Sequence, residues 1–269
     1  MVETTLNYLA PMSERPFFYT YTPPEGSPAR NTKGDRRSMP IHDAREITPP
    51  PTLDREGFSI VHLETAVTNL YDPAAVRDVY YAEVEQLVKV ATGAPRVHVF
   101  DHNVRCAPMA ERGENGAQSP IRYAHNDYTE ISGPRRVRDL IGGEEAEALL
   151  QHRFAVINVW KPITGPVQTA PLAVLDGRSI RTTDWVATDL KFPDRLGEVY
   201  SLTFNAQHRW SYVSHMQANE VLLLKCFDSD ADATRFTAHT AFDDPTSPAD
   251  APARESIEVR TLAFFAAGS

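Results

Sequence analysis

Two cysteines in 269 residues, Cys106 and Cys226, are too few for a disulfide scaffold, and neither has the close second cysteine of a CxxC metal or redox motif. Both are expected to be reduced and structural. Basic residues are outnumbered, 27 Lys and Arg against 36 Asp and Glu, which gives a formal net charge of −9. With no basic stripe to meet phosphates, nucleic acid is not an expected partner. No apolar run approaches the roughly 20 residues that a membrane helix needs, and the opening MVETTLNYLAPMSERPFF is acidic and broken by prolines, unlike a secretory signal. The expectation is a soluble, cytoplasmic chain whose partner is a small molecule. A glycine-rich strand-to-helix loop is also missing, which argues against a nucleotide-like cofactor and against a methyltransferase.

What is there is enough apolar residue, 42% of the chain, to build a large core. Residues 1–55 carry PPEGSP and ITPPPTLDREG. Proline fixes φ and removes a backbone donor, so long regular elements are not expected there. This segment reads as a proline-rich arm wrapping the domain or a partner subunit, with a homo-oligomer as one consequence, and residues 56–269 read as a single domain. YDPAAVRDVYYAEVEQLVKVATG predicts a helix: Asp72 caps it, Pro73 suits its first turn, Gly93 ends it, and Val76, Val79, Tyr80, Val84, Leu87, Val88 and Ala91 form one stripe. RRVRDLIGGEEAEALLQHR predicts a second, divided at Gly142–Gly143. From residue 153 the pattern changes to short β-rich runs between turn residues, and with PRVHVFDHNV upstream they make about eight strands. The fold class that follows is mainly β with flanking helices, a sandwich or jelly roll.

In IRYAHNDYTE, His125 and Asp127 stand two residues apart. In an extended segment such residues point to one face, so an imidazole and a carboxylate can meet one ion while Asn126 points away. Two histidines and a carboxylate form the facial triad of non-haem Fe(II) oxygenases, so a distant histidine is needed. His239, in RFTAHTAFDDP, is favoured because Arg254 and Ser256 follow at the head of a strand, where a guanidinium fork and a hydroxyl suit a dicarboxylate. His208 is the competitor.

The order His-x-Asp, distant His, Arg-x-Ser resembles the Fe(II)/2-oxoglutarate-dependent oxygenases. HNDYTE, INVWKPITGPVQTAPLAVLD, HRWSYVSHMQANEVLLLKCFDS, TAHTAFDDP and ARESIEVRTLAFF are similar to the hydroxylase/desaturase family of secondary metabolism, including its AsaB-type, CmcJ-type and fungal gibberellin-desaturase-like members. The resemblance covers about residues 50–265. It implies a cupin-like double-stranded β-helix, Fe(II) bound by His125, Asp127 and His239, O2 as oxidant, and 2-oxoglutarate held by Arg254 and Ser256, with Arg260 as the replacement anchor. The implied activity is hydroxylation or desaturation of a small natural-product or amino-acid-like substrate. Two other readings stay open: a non-catalytic accessory subunit on the same scaffold, and an iron oxygenase that does without 2-oxoglutarate.

Each residue also has a plainer reading. His125 and Asp127 can belong to a surface turn, His239 can be a core histidine bonded to backbone, and Arg254 can pair with a nearby acid. Trp160 and Trp210 sit in strand-like runs where aromatics are usually core; Trp160 and Asn158 share a face, which suits a pocket and, for Asn158, cosubstrate binding. Arg122 and Tyr128 flank the metal motif as candidates for the substrate mouth. His208, Arg209 and Trp210 are candidates for substrate contact. Lys161 and Lys225 are expected in solvent or in ion pairs.

Overall fold

The computed structural model describes residues 1–266. Its first half holds strands β1 (Val2–Leu9), β2 (Phe17–Tyr19), β3 (Gly34–Asp43), β4 (Phe58–His62), β5 (Arg96–Arg105) and β6 (His125–Asn126). The second half holds β7 (Phe154–Pro162), β8 (Leu172–Leu175), β9 (Trp185–Lys191), β10 (Leu196–Leu202), β11 (Trp210–Tyr212), β12 (Glu220–Asp228), β13 (His239–Ala241) and β14 (Ser256–Phe264). The helices are α1 (Pro73–Ala75), α2 (Tyr81–Thr92), α3 (Ala107–Arg112), α4 (Ser132–Ile141) and α5 (Gly143–Leu150).

The strands form two sheets. One has nine strands in the order β1-β3-β11-β8-β13-β6-β10-β9-β2, and the other has five in the order β4-β12-β7-β14-β5. Together they form a double-stranded β-helix of the jelly-roll kind. The central strands of the smaller sheet, β7, β12 and β14, are buried on both faces because both faces are covered. On β7, Val156 and Trp160 point into the core between the sheets, which also takes Leu172 and Val174 of β8 and residues of α4 and α5. Ala155, Ile157 and Val159 point the other way, under Val76, Tyr80, Val84 and Val88. A third cluster, with Leu6, Tyr8, Ile41 and Trp210, ties β1, β3 and β11 together.

The first helix starts as expected. The Asp72 carboxylate accepts from the Ala74 amide at 2.9 Å, Pro73 opens the first turn, and Gly93 closes α2 at φ +73°. The predicted stripe is altered at both ends: Ala91 is exposed in the last turn, and the first half is reshaped. Val76–Tyr80 form a π-helical turn, in which the Tyr81 amide bonds back to the Val76 carbonyl. The wider turn keeps Val76 and Tyr80 inward and rotates Val79 out, leaving it 39% exposed. The second helix divides as expected, at Gly142 and Gly143, both with positive φ.

Two expectations are corrected. There are fourteen strands among the described residues, not about eight, because β1, β2, β3, β4, β6 and β9 lie in segments whose prolines, acids or shortness mask the alternation. Residues 1–55 also contain long regular elements: β1 pairs antiparallel with β3 over eight residues, and β3 runs parallel to β11 in the larger sheet. The prolines of PPEGSP and ITPPPTLDREG fall outside these strands.

Leu223 lies in the middle of β12, fully buried on the helix-covered face. Leu223→Ala is expected to cost about 2–5 kcal/mol in chemical denaturation, with metal affinity unchanged because the site is on the opposite face.

Candidate metal centre and active site

His125 sits where three strands meet. It pairs with Ser201 of β10 on one side and with His239 of β13 on the other, so the register of two neighbours fixes the histidine pair. Their ring centroids are 4.5 Å apart. Asp127 follows just beyond β6, its Oδ1 3.4 Å from His125 Nε2. One ligand atom from each of His125, Asp127 and His239 can be chosen so that all lie within 4.8 Å of one another, the only such group of three among the described residues. Asn126 points away, as expected, donating to the Tyr128 and Cys226 carbonyls at 2.6 and 2.8 Å.

The neighbours leave these donors free for an ion. His125 Nδ1 faces the Tyr123 carbonyl at 2.8 Å, which assigns the hydrogen to Nδ1 and the lone pair to Nε2. Asp127 Oδ2 accepts from Asn158 Nδ2 at 2.8 Å and from Arg260 Nε at 3.2 Å, so Oδ1 is the free oxygen. Burial alone would push the Asp127 carboxyl up; the Arg260 guanidinium, helped by the two histidines, outweighs it and holds the group well below the usual carboxylate range. Burial, with His125 alongside, pulls His239 down to about 3, so its imidazole is neutral at physiological pH. His239 Nδ1 is buried with no hydrogen-bond partner. Two imidazoles and a fixed carboxylate fit a divalent iron ion.

Beside the triad a small recess of about 20 Å³ reaches Arg254, Trp160 and Glu258. Ser256, Glu258 and Arg260 share the inward face of β14, opposite Pro162, Trp160 and Asn158 of β7, and Arg254 lies two residues before the strand. Arg254 is 5% exposed; its guanidinium donates to the Ala170 carbonyl at 2.6 Å and lies 5.3 Å from the centroid of the Trp160 ring. Its Nε, and the Ser256 hydroxyl two residues on, are buried without partners. Burial, with Arg105 close by, pulls the Arg254 guanidinium down to about 9, the signature of a cation lacking an anion. Unpaired buried donors of this kind suit a carboxylate ligand. On the other side of the triad opens a cavity of about 970 Å³, lined among others by Tyr19, Arg122, Tyr123, Tyr128 and Phe192, with His125 and Asp127 in its wall.

A family model described as an oxidoreductase/YMDC permease-like domain matches residues 6–264. The chain is 35% identical to the Fe(II)/2-oxoglutarate-dependent dioxygenase nvfI of Aspergillus novofumigatus, over 92% of this chain and 90% of that one. It is 33% identical to the hydroxylase/desaturase CTB9 of Cercospora beticola, over 87% and 78% of the two. The solved structure of the iron and alpha-ketoglutarate-dependent endoperoxidase NvfI superposes with a TM-score of 0.87 at 33% identity, covering 98% of this chain and 97% of that one.

The chain belongs to the Fe(II)/2-oxoglutarate-dependent oxygenases.

In this oxygenase the structure brings together most of the residues singled out in the sequence. Trp160 forms part of the recess, and Arg122 and Tyr128 line the large cavity, Arg122 paired with Asp243 at 2.6 Å. Asn158 does not line the recess; its amide is directed at Asp127. His208, Arg209 and Trp210 are not brought to the site. His208 is buried beside the third core cluster, Nε2 3.2 Å from Asp184 and its ring stacked on Tyr8, and so is not brought to His125 and Asp127. Arg209 pairs with Asp176 at 2.9 Å, and Trp210 donates to the Tyr8 hydroxyl at 2.7 Å. Their strand, β11, sits between β3 and β8, away from the histidine pair.

Sequence reasoning missed Arg105 and Glu258, both in the recess wall. Glu258 was readable as the inward residue between Ser256 and Arg260 on β14. Arg105 was not, since only the pairing of β5 with β14 sets it opposite Ser256.

Asn158→Ala is expected to weaken Fe(II) binding by roughly 10–100-fold, because Asp127 loses one of its two orienting donors. His208→Ala, by contrast, is expected to lower the melting temperature and leave Fe(II) affinity as it was. Anaerobic Fe(II) titration and thermal denaturation of both variants check this.

Proposed function

We propose that iron is bound by His125, Asp127 and His239, that Arg254 and Ser256 hold the far carboxylate of 2-oxoglutarate, and that the large cavity receives a natural product that is hydroxylated or desaturated. The observation that carries this reading is the meeting, in one interior, of an oriented His-Asp-His set and a buried guanidinium and hydroxyl with unpaired donors.

Bound Fe(II), with 2-oxoglutarate and O2, supplies the oxidising power that breaks an unactivated C–H bond. The chain supplies the rest. His125 and His239 offer ring nitrogens, and Arg260 and Asn158 keep Asp127 ionised and pointed. Arg254 gives the carboxylate a planar fork in a nearly dry recess, where the pairing is screened little. Tyr128 and the other aromatics of the cavity wall orient the substrate beside the metal set and exclude water from it. No side chain has to accept or donate a proton for C–H cleavage, in keeping with a site that has no nucleophile–base pair.

A cavity of about 970 Å³ is at the upper end of small-molecule sites, which favours a multi-ring natural product over a free amino acid. Hydroxylation is the default outcome, and desaturation follows where a second C–H bond lies within reach. The intact triad and Arg254 count against a non-catalytic accessory role. The acidic net charge and two free, buried cysteines support a place in the cytoplasm.

Anaerobic titration of the apo protein with Fe(II) and then 2-oxoglutarate is expected to give the weak visible absorption of an iron-chelated keto acid. His239→Ala should abolish that absorption, and Arg254→Ala should raise the half-saturating 2-oxoglutarate concentration by roughly 30-fold or more. Iron binding without the absorption would point to an oxygenase that dispenses with 2-oxoglutarate, and no iron binding would sink the site assignment.

A further inference from the structure

On β7 the residue after Trp160 faces the opposite side of the sheet. Lys161 was expected in solvent or in an ion pair, as Lys225 is, with Asp228 at 2.7 Å. Lys161 has neither. It is 3% exposed, and its ammonium has no hydrogen bond or ion pair among the described residues; its nearest aromatic company is the Tyr80 ring, 5.9 Å away. The two acids in its vicinity are engaged elsewhere. Glu83 accepts from the Thr65 hydroxyl and the Ala66 amide, and Glu64 from Asn219 Nδ2. Burial pulls the Lys161 ammonium below the usual lysine range, with Glu83 and Glu64 opposing too weakly to restore it.

Lys161 lines a cavity of about 440 Å³ that shares no residue with the oxygenase site. The cavity is pre-formed. Its walls are joined by the Leu63 amide bonding to the Asn219 carbonyl at 2.9 Å, and Gly165 presses the loop after β7 against residues 217–218, where a Cβ would fall 2.7 Å from the Ala218 nitrogen. Leu63, Val67, Leu70 and Ile163 give it an apolar side, Thr65, Thr68 and Gln217 a polar one, and Glu64 adds one negative charge. The Lys161 side chain is buried while its ammonium meets this cavity without a hydrogen-bond partner, so an anion entering the cavity gains a charge-assisted hydrogen bond there. The volume is that of a small-molecule site. Glu64 disfavours a polyanion, and the apolar side favours a ligand with a hydrocarbon body.

We infer that this cavity is a second ligand site, in which Lys161 binds the carboxylate of a small aliphatic monocarboxylic acid.

Hexanoate is the probe, titrated calorimetrically into the full-length protein, with hexanamide as the uncharged control. Saturable binding of hexanoate and none of hexanamide is expected. Lys161→Met should weaken hexanoate binding by roughly 30-fold or more, Lys161→Arg should retain most of it, and Arg254→Ala should leave it unchanged. Because Met removes an uncompensated charge and keeps the volume, Lys161→Met should also melt no lower than the parent without the acid. No binding of hexanoate, equal binding of hexanamide, binding that survives Lys161→Met, or loss in Arg254→Ala instead would each overturn the assignment.

Discussion

The carboxylate of Asp127 is held between two strands that it does not belong to. Arg260 reaches it from β14 and Asn158 from β7, and those two residues are register partners across the smaller sheet. A charged oxygen in this largely closed interior is tolerated because both donors converge on Oδ2, which also leaves Oδ1 turned toward His125. The two sheets are thus joined at the metal set by a charge pair. A one-residue slip of β14 against β7 would break it and would turn Glu258 out of the recess as well.

The same two-residue period divides labour within one strand. On β7, Asn158 and Trp160 serve the oxygenase site, while Lys161 faces the cavity on the helix-covered side. Neither face needs an insertion or a special loop to carry a polar group; alternation along a buried strand does it. The smaller sheet accordingly has an apolar layer on each side with one polar opening through each.

Much of the candidate site was legible before folding was considered. His125 and Asp127 were candidates by spacing, which is weak alone and gained weight only from the family words around them; Arg254 and Ser256 came from the Arg-x-Ser that follows His239, and Arg260 from parity with Arg254. Between His239 and His208 the choice leaned to His239, through the Arg254 and Ser256 that follow it, but both lie in β-rich words with aromatic neighbours. It was decided by partners: β13 pairs with β6, whereas β11 lies between β3 and β8. The N-terminal strands were hidden for a different reason. β1 and β3 have polar residues on their exposed faces and prolines close by, and their stability comes from pairing with each other across about thirty intervening positions.

The amino-acid sequence by itself determined the fold class, the capped helix, the divided helix and the candidate residues for an iron site and a carboxylate anchor, because these rest on short-range periodicity and on side-chain chemistry. The tertiary structure alone decided which histidine lies beside His125 and Asp127, that Arg260 and Asn158 bond to Asp127, that Arg105 enters the recess, and that Lys161 is buried without an anion. Each of those depends on long-range strand pairing and on the low polarity of an enclosed interior, which no local pattern of residues specifies.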